Sequence, residues 1–239
     1  MRLRDQAGMP AASPTLAAVL ESAARLQEVV PDAVLVGGSA AAWYAGHRAS
    51  FDHGHVMVDI SERFDQVLEA IESTEGWVTN RVTPGKIILG ELGEIEAGVR
   101  QMIRRRPLEV EEVTLPSGRS LRVPTLAEIL RVKGFLIVRR NQTRDYLDVA
   151  ALAERMGVEG AGDVLAAIDD HYADQRGEGD GVATQLARQL AEPKPRDRRT
   201  TRELPRYRRL AARWHDWAAV VDVCRAVADH MLEGAGGSS

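Results

Sequence analysis

Apolar side chains recur at Leu16, Val19, Leu20, Ala23, Leu26 and Val30, the three-and-four spacing of a helix that buries one stripe. Ser13-Pro14 reads as its N-cap and N1 proline, and Pro31-Asp32 ends it. Residues 33–36 (Ala-Val-Leu-Val) are then a short unbroken apolar run, the mark of a buried strand, which passes straight into Gly37-Gly38-Ser39. Residues 40–45 return to helix and stop at Gly46, and residues 51–57 read as the neighbouring strand. Phe64, Val67, Leu68 and Ile71 stripe another helix, closed by Glu75-Gly76. Residues 77–83, 86–92 and 95–103 read as strands divided by the turn pairs Pro84-Gly85 and Gly93-Glu94. Residues 108–115 and 119–123 flank Pro116-Ser117-Gly118 as a further hairpin.

From Thr125 the period is helical again. Thr125 and Glu128 match a capping box, and Leu126, Ile129, Leu130 and Ile137 line one face. Thr143 opens a second helix that runs to Met156 and ends at Gly157. Residues 176–181 read as a loop, 193–205 as a basic linker, and roughly 214–232 as a last helix burying Trp217, Val221, Cys224 and Met231; residues 234–239 read as a frayed tail. The pattern predicts an α+β protein, a mixed sheet with flanking helices followed by a helical C-terminal region. The expected divisions are an α/β core over 1–123, a helical part over 124–192, a basic linker over 193–209, and a C-terminal helix and tail over 210–239.

Composition narrows the class. A 44% hydrophobic, 28% charged chain of 239 residues is ordinary for a globular protein with a sizeable core. The single cysteine, Cys224, excludes an intramolecular disulfide and fits a reducing compartment. No run approaches the roughly 18 apolar residues of a membrane span, and the first fourteen residues lack the apolar stretch of a signal peptide. The expected location is cytoplasmic, with no membrane partner. Net charge is −4, yet residues 193–209 carry eight basic side chains against Asp197 and Glu203. That local excess of six can attract a phosphate backbone, through Arg198, Arg199, Arg208 and Arg209, or can simply be solvated. Arg104-Arg105-Arg106 reads as a solvated turn.

The candidate chemistry begins at the two glycines. A strand entering Gly37-Gly38-Ser39 and a helix lets backbone N–H groups approach a phosphate, because glycine has no Cβ to hold it away. Asp52 on the next strand offers a carboxylate to the metal of a nucleoside triphosphate. Lys133 falls on the apolar stripe of its own helix, where its charge needs an anionic partner or a phosphate, unless its stem snorkels. Arg144 and Asp148, four apart, fit either a surface pair or a site role, and Asp145 fits the first turn of its helix. Ser39 also suits a plain N-cap.

Taken in order, Gly37-Gly38-Ser39, the tract His47-Arg48-Ala49-Ser50-Phe51-Asp52, Lys133 on a helix, and Arg144-Asp145-Tyr146-Leu147-Asp148 resemble the nucleotidyltransferase superfamily. More narrowly they are similar to its abortive-infection toxin branch (AbiEii-like), over about residues 33–150. The resemblance implies a nucleotidyltransferase-like fold and magnesium-dependent transfer of a nucleotidyl group from a nucleoside triphosphate. It implies that Gly37, Gly38, Ser39, Arg48 and Arg144 bind the nucleotide, that Asp52 holds Mg2+, and that Lys133 neutralises phosphate charge. Asp148 would complete the site at the base or sugar, or orient Lys133. The implied acceptor is RNA, often the 3′ end of a tRNA, and the implied role is a toxin beside a partner antitoxin.

One position departs from that pattern. The family has Asp-x-Asp where this chain has Asp52-His53-Gly54, and alternate strand residues share a face. His53 and His55 then point to the other face and cannot replace the carboxylate, so structural roles are expected for both. Asp59 is expected to cap the following helix. A third carboxylate is expected from the strand over 95–103, with Glu96 first and Glu91 across the turn second. Gly54 implies a crippled catalyst or a sequence altered to be inactive. The alternatives are a non-catalytic nucleotide- or RNA-binding protein of the same fold, and an interaction protein that pairs through Trp214, Trp217, Val221 and Met231. Gly38-Ser39-Ala40 is not the Gly-x-Ser-x-Gly of an acyl hydrolase.

Overall fold

The structure, a computed structural model, describes residues 13–175, 179–207 and 209–236, with side chains to residue 233. α1 (Leu16–Val29) is capped by Thr15, whose hydroxyl accepts from the Ala18 N–H, so the start lies two residues past the expected Ser13 cap. It leads into β1 (Val34–Val36), α2 (Gly37–Ala45) and β2 (Asp52–Met57). α3 (Phe64–Glu72) follows, then the meander β3 (Trp77–Thr83), β4 (Ile87–Leu92) and β5 (Ile95–Gln101), and the hairpin β6 (Val110–Thr114) and β7 (Ser120–Pro124). Asp59 pairs with Arg63 by 2.8 Å and does not cap α3, whose N-cap is Arg63.

Five strands form one mixed sheet in the order β1-β2-β5-β4-β3. β2 runs parallel to β5, and the other pairings are antiparallel. The return through α3 and the β3–β4 hairpin is what allows that parallel neighbour, since parallel strands need a long crossover. The fold is α+β, as the periodicity predicts.

The second half is α4 (Leu126–Arg140), α5 (Thr143–Met156), α6 (Val158–Ala166), α7 (Val182–Ala191), α8 (Arg198–Glu203) and α9 (Trp217–Gly236). One hydrophobic cluster runs through both halves, from Leu20 and Leu35 to Val220 and Met231. A second lies between α3 and the sheet, around Met57, Ile71, Ile88 and Val99. Only half of the expected capping box forms at α4. Thr125 accepts from the Glu128 N–H, but the Glu128 carboxylate turns inward. There it meets Arg104 at 2.7 Å and Arg131 at 3.1 Å, so Arg104 is a buried ion-pair residue and not a solvated turn.

The basic stretch differs from a linker. α8 lies within it, the Arg196 N–H donates to the Asn141 carbonyl, and Asp197 accepts from Thr143 N–H and hydroxyl at 2.7 Å each. α9 starts three residues later than expected and continues to Gly236; residues 237–239, like 176–178 of the expected loop, lie outside the described residues. Its buried stripe is Val220, Val223, Cys224, Val227, Ala228 and Met231, with Val221 and Trp217 half-buried. Trp214 sits in a separate 3-10 turn and is buried in the same core. The side chains proposed for a partner helix are largely spent inside this molecule.

Candidate functional site

The site assembles at one end of the sheet. α2 begins at Gly37 itself, whose φ of +80° is the left-handed region glycine tolerates. Gly38 answers a different need, because a Cβ there would lie 2.7 Å from Arg48 Nη2 and 2.9 Å from Ser50 Oγ. The N-cap position is Val36, with no side-chain cap, so no capping side chain occupies the first-turn N–H groups. Ser39 is already inside the helix. Its buried hydroxyl donates to the Asp52 carbonyl, tying α2 to β2, and does not cap.

β2 sorts its residues by face. His53, His55 and Met57 are buried, while Asp52 is exposed and Gly54 half-buried. The parallel register sets Asp52 opposite Glu96, and the antiparallel register sets Glu96 opposite Glu91. Registered partners project to the same face, so Asp52 and the exposed Glu96 stand side by side. Glu91 takes a hydrogen bond from Asn80 at 3.1 Å. Ser50 Oγ donates to Asp52 Oδ1 at 3.3 Å. At Gly54 nothing lies within 4 Å of where a Cβ would be.

Behind this rim lies a buried ionic hub. Asp148 is fully buried and takes His47 Nε2 at 2.7 Å, Arg48 Nε at 2.7 Å and Nη2 at 3.0 Å, and the Lys133 ammonium at 2.7 Å. Burial alone pushes its carboxyl up. The charges of Lys133 and Arg48, with hydrogen bonds from His47 and Arg48, outweigh that and hold it well below the usual carboxylate range. Burial likewise opposes the charge on Arg48, and Asp148, with Asp52 and Asp145 behind it, reverses the balance and raises its pKa. Two cations face one carboxylate, so the hub carries an unneutralised positive charge beside the first turn of α2.

These positions correct several sequence expectations. Gly38, Ser39, Arg48, Asp52, Lys133 and Asp148 do come together through direct contacts. Lys133 is buried, at 2% exposure, and already paired, so it neutralises Asp148 and does not face an open cleft. Asp148 is no surface partner of Arg144. Arg144 is exposed, one helical turn from Asp148, so of the two open alternatives the surface pair does not form. Asp145 is buried and holds Arg140 through two bonds of 2.6 Å. His47 and Ser50 were not singled out, although both lie within the tract that was.

The C-terminal half closes the same site. The Ala49 N–H donates to the Arg209 carbonyl at 2.9 Å, the Ala211 N–H to the His47 carbonyl at 2.8 Å, and Arg48 bridges Leu210 in antiparallel fashion. Arg209 places its guanidinium carbon 5.2 Å from the Phe51 ring centroid. Arg198 is exposed, Arg199 pairs with Glu203 at 2.8 Å, and Arg208 lies outside the described residues.

The buried face of β2 carries a testable pH dependence. His53 bonds Ser22 Oγ at 3.0 Å, and its ring meets that of His55 edge-on at 5.3 Å. Burial lowers His53 from 6.5 to about 4, against the pull of Asp52, and lowers His55 well below its ordinary value. Both rings are neutral in the fold and take up protons when unfolded, so stability present above pH 6.5 is lost as pH falls toward 4. His53 alone accounts for about 3 kcal/mol. Urea midpoints between pH 7 and 4 are expected to fall steeply, and less so in His53→Gln; parallel curves for the two proteins would refute this.

Glu109, Glu128 and His171 also offer ligand atoms within 4.8 Å of one another. Arg131 reaches Glu109 at 2.9 Å and Arg104 reaches Glu128 at 2.7 Å, so arginines already neutralise these carboxylates. This cluster is an ion-pair network, not a metal centre.

No protein-family model matches the chain. It is 34% identical over 203 residues to the heme uptake protein MmpL11 of Mycobacterium tuberculosis, covering 75% of this chain and 19% of that protein. It is 41% identical over 130 residues to the mycolic acid-containing lipids exporter MmpL11 of Mycolicibacterium smegmatis, covering 54% of this chain and 13% of that one. The chain thus spans less than a fifth of the length of these relatives. No helix among the described residues is long and apolar enough to cross a membrane. Among solved structures, an H. pylori chain provisionally described as a nucleotidyltransferase gives a TM-score of 0.48 at 14% identity, over 92% of this chain and 95% of that one. The antibiotic-resistance factor ANT(2'')-Ia gives 0.47 at 14% identity, over 66% and 94%. Likenesses at this level leave the assignment to the geometry of the site.

Proposed function

We propose that this chain is a nucleotidyltransferase that uses Mg2+ to transfer a nucleotidyl group from a nucleoside triphosphate to an acceptor. The observation that carries the reading is the registered pair Asp52 and Glu96 beside the uncapped first turn of α2. Two exposed carboxylates on one face fit a single Mg2+, and the open space at Gly54 marks where a further ligand would stand. When bound, the metal supplies charge neutralisation at the phosphates.

This chain's own groups do the rest. The first-turn N–H groups of α2 and the Arg48 guanidinium bind the outer phosphates, with Ser50 Oγ alongside. Asp148 fixes the plane of Arg48 through two bonds, and His47 and Lys133 fix Asp148. Lys133 and Asp148 are therefore positioning residues that act through Arg48. The acceptor's hydroxyl oxygen attacks the α-phosphorus and pyrophosphate leaves. The acceptor we favour is RNA, in particular a tRNA end, with the protein acting in the cytoplasm as an abortive-infection toxin held by an antitoxin. These finer assignments come from the family resemblance and from the basic segment that meets the site at Arg209.

Gly54 favours a second reading, a non-catalytic nucleotide- or RNA-binding module with one carboxylate missing. Such a module also suits relatives described as transport proteins. Labelled nucleotides offered with RNA, with and without Mg2+, separate the two. Transfer supports the enzyme, and Mg2+-strengthened nucleotide binding without transfer supports the module. Absence of both binding and transfer would overturn both.

The basic segment has its own expected result. Changing Arg198, Arg199, Arg208 and Arg209 to Ala should flatten the dependence of log affinity for single-stranded RNA on log salt by roughly 2 to 3, at ~0.7 per phosphate contact. An unchanged slope would make the segment a solvated surface.

A further inference from the structure

Phe51 stands out among the exposed apolar side chains. Its ring is 44% exposed, and it immediately precedes Asp52, the carboxylate at the centre of the site. An aromatic ring left in water costs free energy. This ring is also built upon. The Arg209 guanidinium lies 5.2 Å from its centroid, and the same side chain reaches back to the Ser13 and Pro14 carbonyls at 3.4 and 3.5 Å. The carbonyl of that arginine accepts from the Ala49 N–H, and the Ala211 N–H donates to the His47 carbonyl. Arg209 is thus held at both ends over the ring.

Ser13 and Pro14 in turn form one wall of a cleft of about 610 Å³, whose apolar lining includes Ala18, Leu92 and Ile95. Ile95 adjoins Glu96 at the same end of the sheet but points to the opposite, α1-facing side, so the cleft and the Asp52–Glu96 rim share that sheet end from its two faces. Glu21, Arg25 and Glu94 also line the cleft, so its wall is mixed; an exposed aromatic face and a fixed guanidinium at its mouth are what a flat, π-bearing, phosphate-linked group needs. Aromatic faces accept every nucleobase, and a guanidinium serves both the ring and a nearby phosphate.

We infer that Phe51 and Arg209 form a nucleobase-stacking site that holds a base against the mouth of this cleft while its phosphate reaches the Asp52–Glu96 rim. The inference rests on the reading of the site as one for nucleotides, and it adds the contact that recognises the base. The base has two possible sources, the incoming nucleoside triphosphate and the 3′ end of an RNA acceptor, and one probe distinguishes them.

2-Aminopurine loses fluorescence when it stacks. The full chain is titrated with 2-aminopurine riboside triphosphate plus Mg2+, and separately with a short single-stranded RNA ending in 2-aminopurine, with binding followed by a competition assay that does not depend on emission. For the ligand whose base belongs here, binding is expected to quench emission several-fold. Phe51→Leu, which keeps an apolar side chain but removes the ring, should abolish the quench and weaken that ligand roughly 10-fold. Phe51→Tyr should restore both, and Arg209→Gln should weaken both. Binding of both ligands with no Phe51-dependent quench would overturn the stacking site while leaving the nucleotide reading intact. Failure of both ligands to bind would overturn both.

Discussion

Gly54→Asp is expected to raise magnesium-dependent nucleotidyl transfer by ~10²–10³-fold, the scale on which single electrostatic groups act in a transition state. Asp52 and position 54 share the open face of β2, and Glu96 is the registered neighbour of Asp52. A carboxylate at 54 would therefore enter the same ligand set. Sterically the change is cheap, because the Cβ position is empty to 4 Å. Electrostatically it is not, since a third carboxylate would crowd the other two until a cation neutralises them. A second readout follows, independent of turnover. Mg2+ should raise the melting temperature of Gly54→Asp more than that of the parent, whose own stability without metal should be the higher. In cells, the variant should arrest growth unless a partner is co-expressed. Equal transfer and equal Mg2+ shifts in the two proteins would show that position 54 is not a ligand position.

Asp148→Ala is expected to be the most destabilising single change at the site. It removes the carboxylate that pairs directly with Lys133 and Arg48 and accepts from His47, leaving a buried ammonium and a mostly buried guanidinium without their direct partner. Breaking a buried pair from one side costs about 3–5 kcal/mol. At ~2–4 °C per kcal/mol for a chain of this size, the melting temperature should fall by roughly 10 °C. Lys133→Met should cost less, because Arg48 still satisfies Asp148 through two bonds and methionine fills most of the lysine stem's volume. The comparison separates charge imbalance from simple loss of packing. If Lys133→Met proves as damaging as Asp148→Ala, the hub is held by packing and not by its charges.

The parts of this site that lie on single elements were legible in the chain. Period two put Asp52 and position 54 on one face and the histidines on the other. The helical stripe put Lys133 inside with a charge that required an anion. What the sequence could not specify was the partner. Spacing left Asp148 open to a surface pair with Arg144 or a site role, and its link to Lys133 came only from the family resemblance; the structure gives it Lys133 on α4 and Arg48, 100 positions away. Glu96 was nominated as a strand carboxylate, but only the β2–β5 register places it beside Asp52. The stretch read as a basic linker shows a related limit. Its composition fits attraction to phosphate or solvation, and only tertiary hydrogen bonds to Asn141 and Thr143 reveal that it is tied down. Helices α6 and α7 went unassigned although Val182, Leu186 and Leu190 already show a turn-by-turn stripe.

The antiparallel bridge between Arg48 and Leu210 bears on how the molecule is made. The loop that presents Arg48 receives its backbone partners only when residues 209–211 arrive, 163 positions after residue 48. At ~5–20 residues per second, a growing chain holds that loop without its partners for roughly 8–33 s. A product released after the lysine helix but before that point, by a stop codon, a stalled ribosome or a protease, contains the glycine turn, the carboxylates and Lys133, yet lacks the backbone partners of the Arg48 loop. Full pinning of the Arg48 loop thus waits for residues 209–211, and chains cut short of them hold that loop without these backbone partners.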